Sequence, residues 1–403
     1  MQALIGVSLG PERSHAAVVR GREVLASLSV DGADPAALLP RAVAACGGAP
    51  GGVVIDISRL LLSRVLHEHT SLSPVAVIRI VPRAATDPAL GRHPDDVVER
   101  LINRRYTVPG GYDLFGHELR PLDREALREV CASLEHDHVA VVATGSPAHP
   151  RHEREVADAL LSALPDARIS AAHEFGGLGM GAREATVVLN SALSVAAADI
   201  VDRCEQAARG TPFRVARGDG GWVSASRLRA LPVLGLGAAD ALRLAGAATL
   251  AGVEDCRVLL DRRPHPVVGE VRNGLPAVRP QPLPDLGTAL VVPTAELTHA
   301  NPLTPDTVPL VKADRDPDEL TCVGAAVSRP AAWMDEIAFV SSTAQLEQVR
   351  QDANARATAI ATTNGAAPGS AVAVESSAVA IAYGPSGTIR IRVRVVGAPE
   401  AGR

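Results

Sequence analysis

Apolar and polar positions along this chain trade between a period of two and a period near four, and the switches mark the elements. Residues 4–7 form a short apolar run, 8–15 a polar turn, 16–19 a second apolar run and 23–30 a third, which predicts a three-stranded hairpin or meander. A helix is predicted over 34–46, a loop over 47–52 and a buried strand over 53–57. Pro74-Val-Ala-Val-Ile-Arg-Ile80 reads as another strand, ended by Pro82, and a polar, proline-punctuated stretch runs to Pro94. Helices are predicted over 96–103 and 123–134, with a hairpin-like alternation over 109–119 between them. After a buried strand at 139–143, residues 150–164 place Val156, Ala157, Leu160, Leu161 and Leu164 opposite Glu153, Arg154, Glu155 and Asp158, an amphipathic helix. Residues 167–171 form the next strand.

Near the midpoint, His173-Glu-Phe-Gly-Gly-Leu-Gly-Met180 leads through a glycine-rich turn into an apolar run that reaches Asn190, and 193–209 continue as helix. A loop ending in Arg217-Gly-Asp-Gly-Gly-Trp222 precedes helices over 225–230 and 238–251 and a strand over 256–261 that ends in Asp261. Residues 276–320 are crowded with proline and read as a linker with little regular structure. The remainder is a compact unit: 331–340, a helix over 345–363, and strands over 371–375 and 388–396 around Tyr383-Gly-Pro-Ser-Gly387. The opening order of strand, turn, strand, helix, strand is that of a ribonuclease-H-like lobe, the unit that actin- and hexokinase-type proteins use twice.

Composition narrows the function more than the fold. At 403 residues with 47% apolar and 21% charged positions, the chain supports at least two cores, and 2% aromatic content means that Ala, Val and Leu must fill them. A net charge of −5 without a basic stripe argues against nucleic acid as a partner. Cys46, Cys131, Cys204, Cys256 and Cys322 are scattered without CxxC spacing, which fits a reducing cytoplasm and no zinc site. No basic leader and no apolar stretch of about 18 residues is read, so neither a membrane partner nor a location outside the cytoplasm is expected. The pairs His67/His69, His136/His138 and His149/His152 fall on loops and helix ends and are read as solvated, with no metal assigned.

Several motifs in order resemble the hydantoinase A/oxoprolinase family, actin-fold enzymes that use ATP to open cyclic amides such as hydantoin and 5-oxoproline. Residues 3–19 sit where that family opens, and Val75-Ala-Val-Ile-Arg79 matches a family strand. Gly110-Gly-Tyr-Asp-Leu-Phe-Gly-His-Glu-Leu-Arg-Pro-Leu-Asp123 resembles its hairpin, and Ser146-Pro-Ala-His-Pro-Arg-His-Glu153 its entry into a helix. Ala182-Arg-Glu-Ala-Thr-Val-Val-Leu-Asn-Ser-Ala192 is similar to its RENATxxNA segment, and Gly218-Asp-Gly-Gly221 to its DGG loop. The tail, Cys322-Val-Gly-Ala-Ala326 and Arg390-Ile-Arg-Val-Arg-Val-Val-Gly397, is similar to the end of shorter family members. The resemblance implies an α/β fold of two ribonuclease-H-like lobes with a cleft between them and a shortened second lobe. The first lobe is expected over 1–195, with a subdomain inserted at about 82–135. The second is expected over 196–403, with the proline-rich 276–320 and the C-terminal helix–strand region.

The same alignment of motifs exposes departures. Where the family's first phosphate loop carries Asp, Gly, Thr and Asp, this chain has Ser8, Pro11, Glu12 and His15. The family's threonine-rich segment falls on Asp56-Ile-Ser58, and its second phosphate hairpin on Asp261-Arg-Arg-Pro-His-Pro266. Proline removes a donor N–H, and Arg262, Arg263 and Pro264 disfavour the turns that let backbone close on a phosphate. Ser8, Gly10, Ser58, Gly220 and Asp261 are the remaining candidates for holding Mg-ATP, the family's cofactor. Glu184, Asn190 and Asp219 are the candidates for catalysis, lining the cleft with Ser58. Against these stand plainer readings: Asn190 capping a helix, Glu184 and Thr186 stabilising the turn before it, and Asp219 shaping a Gly-Asp-Gly turn. Three functions stay open. The first is cyclic-amide hydrolysis. The second is a non-catalytic scaffold or regulatory subunit that pairs with an intact hydantoinase-type subunit, a pathway enzyme or a second copy of itself. The third is a protein that binds a small molecule in the cleft without turning it over.

Overall fold

In the computed structural model, which describes residues 2–83, 91–135, 137–261, 265–299, 308–381 and 386–400, the first sheet is built around Leu4–Ser8. Its spatial order is Glu23–Asp31, Arg13–Arg20, Leu4–Ser8, Gly52–Asp56, Arg214–Ala216 and Trp222–Ser224. The first three strands are antiparallel, and Leu4–Ser8, Gly52–Asp56 and Arg214–Ala216 run parallel. This is the ribonuclease-H-like order, and its core packs Ile5, Val7, Val53 and Ile55 against Leu38, Leu39, Leu189 and Leu193 from two helices. Each such fully buried side chain contributes about 1.5–3 kcal/mol relative to exposure.

Between Gly52–Asp56 and Arg214–Ala216 the chain leaves this sheet and builds a second one, all parallel, in the order Arg168–Ala171, His138–Ala143, Val75–Val81, Ile102–Pro109. The insertion read at 82–135 is therefore the middle of a larger unit, and the strand Ile102–Pro109 begins directly where the helix Asp96–Leu101 ends. Position 195 lies inside one helix, Met180–Ala208, and both strands after it return to the first sheet. The glycine turn before it ends at Gly179, whose φ of 87° suits glycine, and the apolar run is continuous helix through Asn190.

In the second lobe, Leu275–Pro276, Val267–Arg272, Cys256–Leu260 and Leu310–Lys312 form a smaller sheet, with Leu297–His299 also paired to Val267–Arg272. Glycine decides how its helices meet. A Cβ on Gly246 would stand 2.1 Å from Leu320 O, and one on Gly324 1.9 Å from Leu242 O, so Ala238–Ala251 and Pro317–Val327 touch backbone to backbone. Gly6 brings the first sheet equally close to Cys322, at 1.7 Å from a Cβ to its carbonyl. The approach of Gly6 to Cys322 joins the two lobes.

The stretch 276–320 is more regular than its prolines suggest. Val278–Pro282 and Ala289–Ala295 form a two-stranded ribbon that pairs Pro280 with Pro293, and Pro317 opens a helix whose Asp316 accepts from the Asp318 and Glu319 N–H groups. Proline costs little at a helix start or on a ribbon with a free edge. The C-terminal unit is a three-stranded antiparallel sheet, Ala331–Phe339, Thr388–Val396 and Val372–Ala380 in spatial order, under the helix Thr343–Thr363. Ala353, Ala357 and Ala361 recur every fourth residue against Ile389, Ile391, Val393 and Val395, so small side chains do the filling that a core poor in aromatics requires.

Met180–Ala208 and the segment Pro232–Ala251 are long and apolar enough to cross a membrane, contrary to the expectation of no such stretch. Both lie largely inside the fold, with 78% and 67% of their apolar windows buried. Arg262, Arg263 and Pro264 of the expected second phosphate hairpin lie outside the described residues, as do His136, Tyr383 and Pro385.

Candidate functional site

A cleft of ≈ 920 Å³ opens between the lobes. One wall is the turn Pro11, Glu12, Arg13 with the face of the helix Ser58–His67; the other is Leu236, Gly237, Leu283 and Pro284, with Asp316 and Asp318 at one end. Among the candidate residues only Ser58 lines it.

Among the described residues, Arg59 is one of three arginines that line this cleft, with Arg13 and Arg243. It occupies the first turn of the helix Ser58–His67, whose N-cap residue Ile57 offers no side-chain acceptor, and an arginine there opposes the positive end of the helix dipole. Its charge is met from the other lobe: Nη1 lies 2.8 Å from Asp318 Oδ1, while His15 Nε2 lies 3.1 Å from Asp318 Oδ2. The guanidinium stands over Gly10, where a Cβ would be 2.8 Å from Nη2, and reaches the Arg13 carbonyl at 3.5 Å. Below it, the side chain of Ser8 donates to Asp56 Oδ2 at 3.1 Å and the Ser58 N–H donates to Oδ1 at 2.9 Å. Asp56 is fully buried, and burial pushes its carboxyl above the usual range despite those donors. Ser8 and Gly10 thus serve to seat Asp56 and the turn.

The catalytic candidates lie elsewhere and apart. Glu184 is buried and takes a bidentate pair from Arg79, Nε to Oε2 at 2.6 Å and Nη2 to Oε1 at 2.7 Å. That bond holds Arg79 charged above its ordinary range. Arg79 also donates to the Gly91 carbonyl at 2.6 Å, so the pair ties the inserted sheet to the central helix. Asn190 does not cap a helix; it sits in mid-helix with Nδ2 donating to Ser170 Oγ at 2.9 Å and to Ala230 O at 3.3 Å. Its Oδ1 accepts from the Val233 N–H at 3.3 Å. Thr186 accepts from the Val291 N–H at 3.0 Å while donating to Ala182 O at 2.7 Å. Asp219 accepts from the Gly221 N–H at 3.0 Å and pairs with Arg217 at 3.2 Å, and Gly220 makes the turn with a φ of 77°. Asp261 is exposed at the end of Cys256–Leu260 and lines no described cavity. These residues do not converge on one cavity, so the plainer reading of Asp219 describes its geometry and the expected grouping of Ser58, Glu184, Asn190 and Asp219 is not formed.

Sequence reasoning passed over Arg59, Asp318 and a buried network around Glu153. The signal for Arg59 was its place one residue into a helix with no acid in the first turn. Glu153 accepts from the Ala143 N–H at 2.7 Å and from the His173 N–H and Nδ1–H at 2.7 and 2.9 Å, with Arg183 3.8 Å away. Arg183 in turn donates to Ala143 O at 3.0 Å and to Ser146 Oγ, closing the entry to the helix Arg151–Ala163. His152 is buried rather than solvated: Nδ1 accepts from the Gly111 N–H at 2.9 Å, which leaves Nε2 to donate to Glu118 at 2.9 Å.

Comparison with known proteins places this architecture. No curated protein matches the sequence. The chain superposes on an acetone carboxylase solved nucleotide-free, in a study of ATP-dependent acetone carboxylation, with a TM-score of 0.67 and 11% identity, over 98% of this chain and 88% of that one. It superposes on the ATP-dependent caprolactamase of Pseudomonas jessenii with a TM-score of 0.68 and 11% identity, over 98% and 87%. At that identity the likeness is one of fold, the two-lobed α/β architecture expected from the sequence. In sequence, residues 93–164 match the model of the hydantoinase/oxoprolinase N-terminal region, which supports the resemblance drawn from the motifs.

Proposed function

We propose that this chain is a non-catalytic protein on the hydantoinase/oxoprolinase fold, a scaffold or regulatory subunit whose interlobe cleft no longer takes Mg-ATP. One observation carries the reading: the Arg59 guanidinium, neutralised by Asp318 from the facing lobe, fills the space over Gly10 that a phosphate would need. The residues around it fit a nucleotide poorly. Pro11 offers no N–H, Glu12 brings negative charge to the same turn, and Asp56 is sealed beneath Ser8 and Ser58. The rival reading, ATP-dependent opening of a cyclic amide, needs a polar group free to act, and Glu184, Asn190 and Asp219 are engaged by internal partners. A scaffold also accounts for the cost of burying so many satisfied polar joints, which hold domains in register rather than face a substrate.

Calorimetry with Mg-ATP on the folded chain tests this, beside a thermal-shift scan with ATP, ADP and hydantoins. The expected result is no heat of binding and no shift. A micromolar nucleotide signal would overturn the proposal and make the cleft a working ATP site.

A further inference from the structure

The C-terminal sheet has two edges, and the fold treats them differently. The edge strand Ala331–Phe339 is covered: the Gly177 N–H donates to Asp335 O at 2.8 Å, and the Ile337 N–H donates to Pro147 O at 3.4 Å. The opposite edge, Val372–Ala380, pairs only with Thr388–Val396 among the described residues. Each of its nine residues is exposed or half-buried, and none belongs to the core beneath the helix Thr343–Thr363. Val372, Val374 and Val379 are 58%, 43% and 62% exposed. A nine-residue strand with an open edge, exposed valines, no proline and one charge is a template for another strand.

We infer that this edge pairs with the same edge of a second copy, antiparallel about a two-fold axis, to form one continuous six-stranded sheet. The strand itself names the partner. Val-Ala-Val, Glu-Ser-Ser and Ala-Val-Ala follow one another, so its pattern of apolar, polar and apolar triplets reads alike in both directions. Two-fold pairing of antiparallel strands must set one residue opposite its own copy. With Ser376 in that place, apolar residues face apolar ones, Glu375 faces Ser377, and the two carboxylates avoid direct opposition. The bulge at Val374 lies off this centre. Because the other edge of this sheet is covered, the sheet offers one open strand among the described residues, and pairing through it closes at two instead of growing into a fibre. The inference is independent of whether the cleft holds nucleotide.

The test is the mass of the full chain by light scattering and sedimentation, with a cysteine placed by Ser376→Cys in a Cys131→Ser background, the other cysteines being buried. A dimer is expected, and Ser376→Cys should oxidise to a covalent dimer, since facing Cα atoms at about 4.5–5.5 Å suit a disulfide. Ala380→Cys, which would face Val372, should not cross-link. Ser377→Glu sets two carboxylates against the copies of Glu375 and should weaken the dimer by about tenfold or more, whereas Ser377→Lys should not. A monomer at all concentrations, a dimer that Ser376→Cys fails to trap, or a dimer indifferent to Ser377→Glu overturns the inference.

Discussion

The central helix Met180–Ala208 and the cleft turn around Gly10 divide the polar residues of this molecule into two kinds. On the helix, Glu184, Thr186 and Asn190 match the hydantoinase/oxoprolinase pattern, and each spends its hydrogen bonds on a neighbouring element: the inserted sheet, the strand Ala289–Ala295, and the segment Ala230–Val233. At the turn, Ser8, Pro11, Glu12 and His15 depart from the pattern; Ser8 is buried on Asp56, while Pro11, Glu12 and His15 line the cleft beside the ion cluster of Arg59, His15 and Asp318. The residues of the helix that resemble the family's motif form joints between elements of the fold. A sequence can therefore resemble a family through residues whose side chains are spent inside the fold.

The sharpest way to break this contrast is Glu184→Ala. It leaves the Arg79 guanidinium facing a buried void, and losing one partner of a buried pair costs about 3–5 kcal/mol. Urea denaturation should show the loss, and the double change Arg79→Met with Glu184→Leu should recover most of it. A Glu184→Ala chain of unaltered stability would mean that the residue is held for another purpose, and would reopen a catalytic role. Asn190→Ala comes next. It strips partners from the Val233 N–H and from Ser170, and leaving buried groups unsatisfied costs about 1–3 kcal/mol.

Much of the architecture was legible. The opening meander and the helix over 150–164 follow from periodicity, because one buried face per element leaves a direct trace in the sequence, whereas the pair of α/β lobes was implied by the motif resemblance. The central helix was split at Asn190 because a buried amide in mid-helix looks like a cap until its partners, 20 to 43 residues away, are known. Proline count hid the ribbon and helix within 276–320, since Pro280 and Pro293 stand on a two-stranded ribbon and Pro317 at a helix start. Arg59 and Asp318 lie 259 residues apart, so their pairing depends on how the lobes close and no local pattern encodes it.

Asp56 sharpens the comparison from the cleft side with a smaller effect. Burial raises its carboxyl above the ordinary 3.8, so the folded chain holds that proton more tightly than the unfolded one. Stability from this group is complete below the unfolded value and is lost as pH rises through the folded one. Asn at this position can still accept from the Ser58 N–H, and its amide can donate to a rotated Ser8 hydroxyl. The stability of Asp56→Asn relative to the parent should then be flat below about pH 4 and grow in the variant's favour towards neutrality. Parallel pH curves for the two proteins, followed by thermal unfolding, would refute the assignment.

Arg59→Ala should disturb the fold least. The pair with Asp318 is partly solvated, with side-chain exposures of 29% and 22%, and such pairs contribute up to about 1 kcal/mol. If the guanidinium alone kept nucleotide out, its removal would let Mg-ATP bind. Pro11 and Glu12 remain, however, one without a donor and one with a repelling charge, so calorimetry on Arg59→Ala should still show no binding. Adding Pro11→Gly and Glu12→Thr to the same chain supplies the missing N–H and removes the charge while leaving the central helix untouched. A nucleotide signal only in the triple variant would place the loss in the turn as a whole. A signal in Arg59→Ala itself would show that the turn is intact and that the ion cluster with Asp318 is a removable gate.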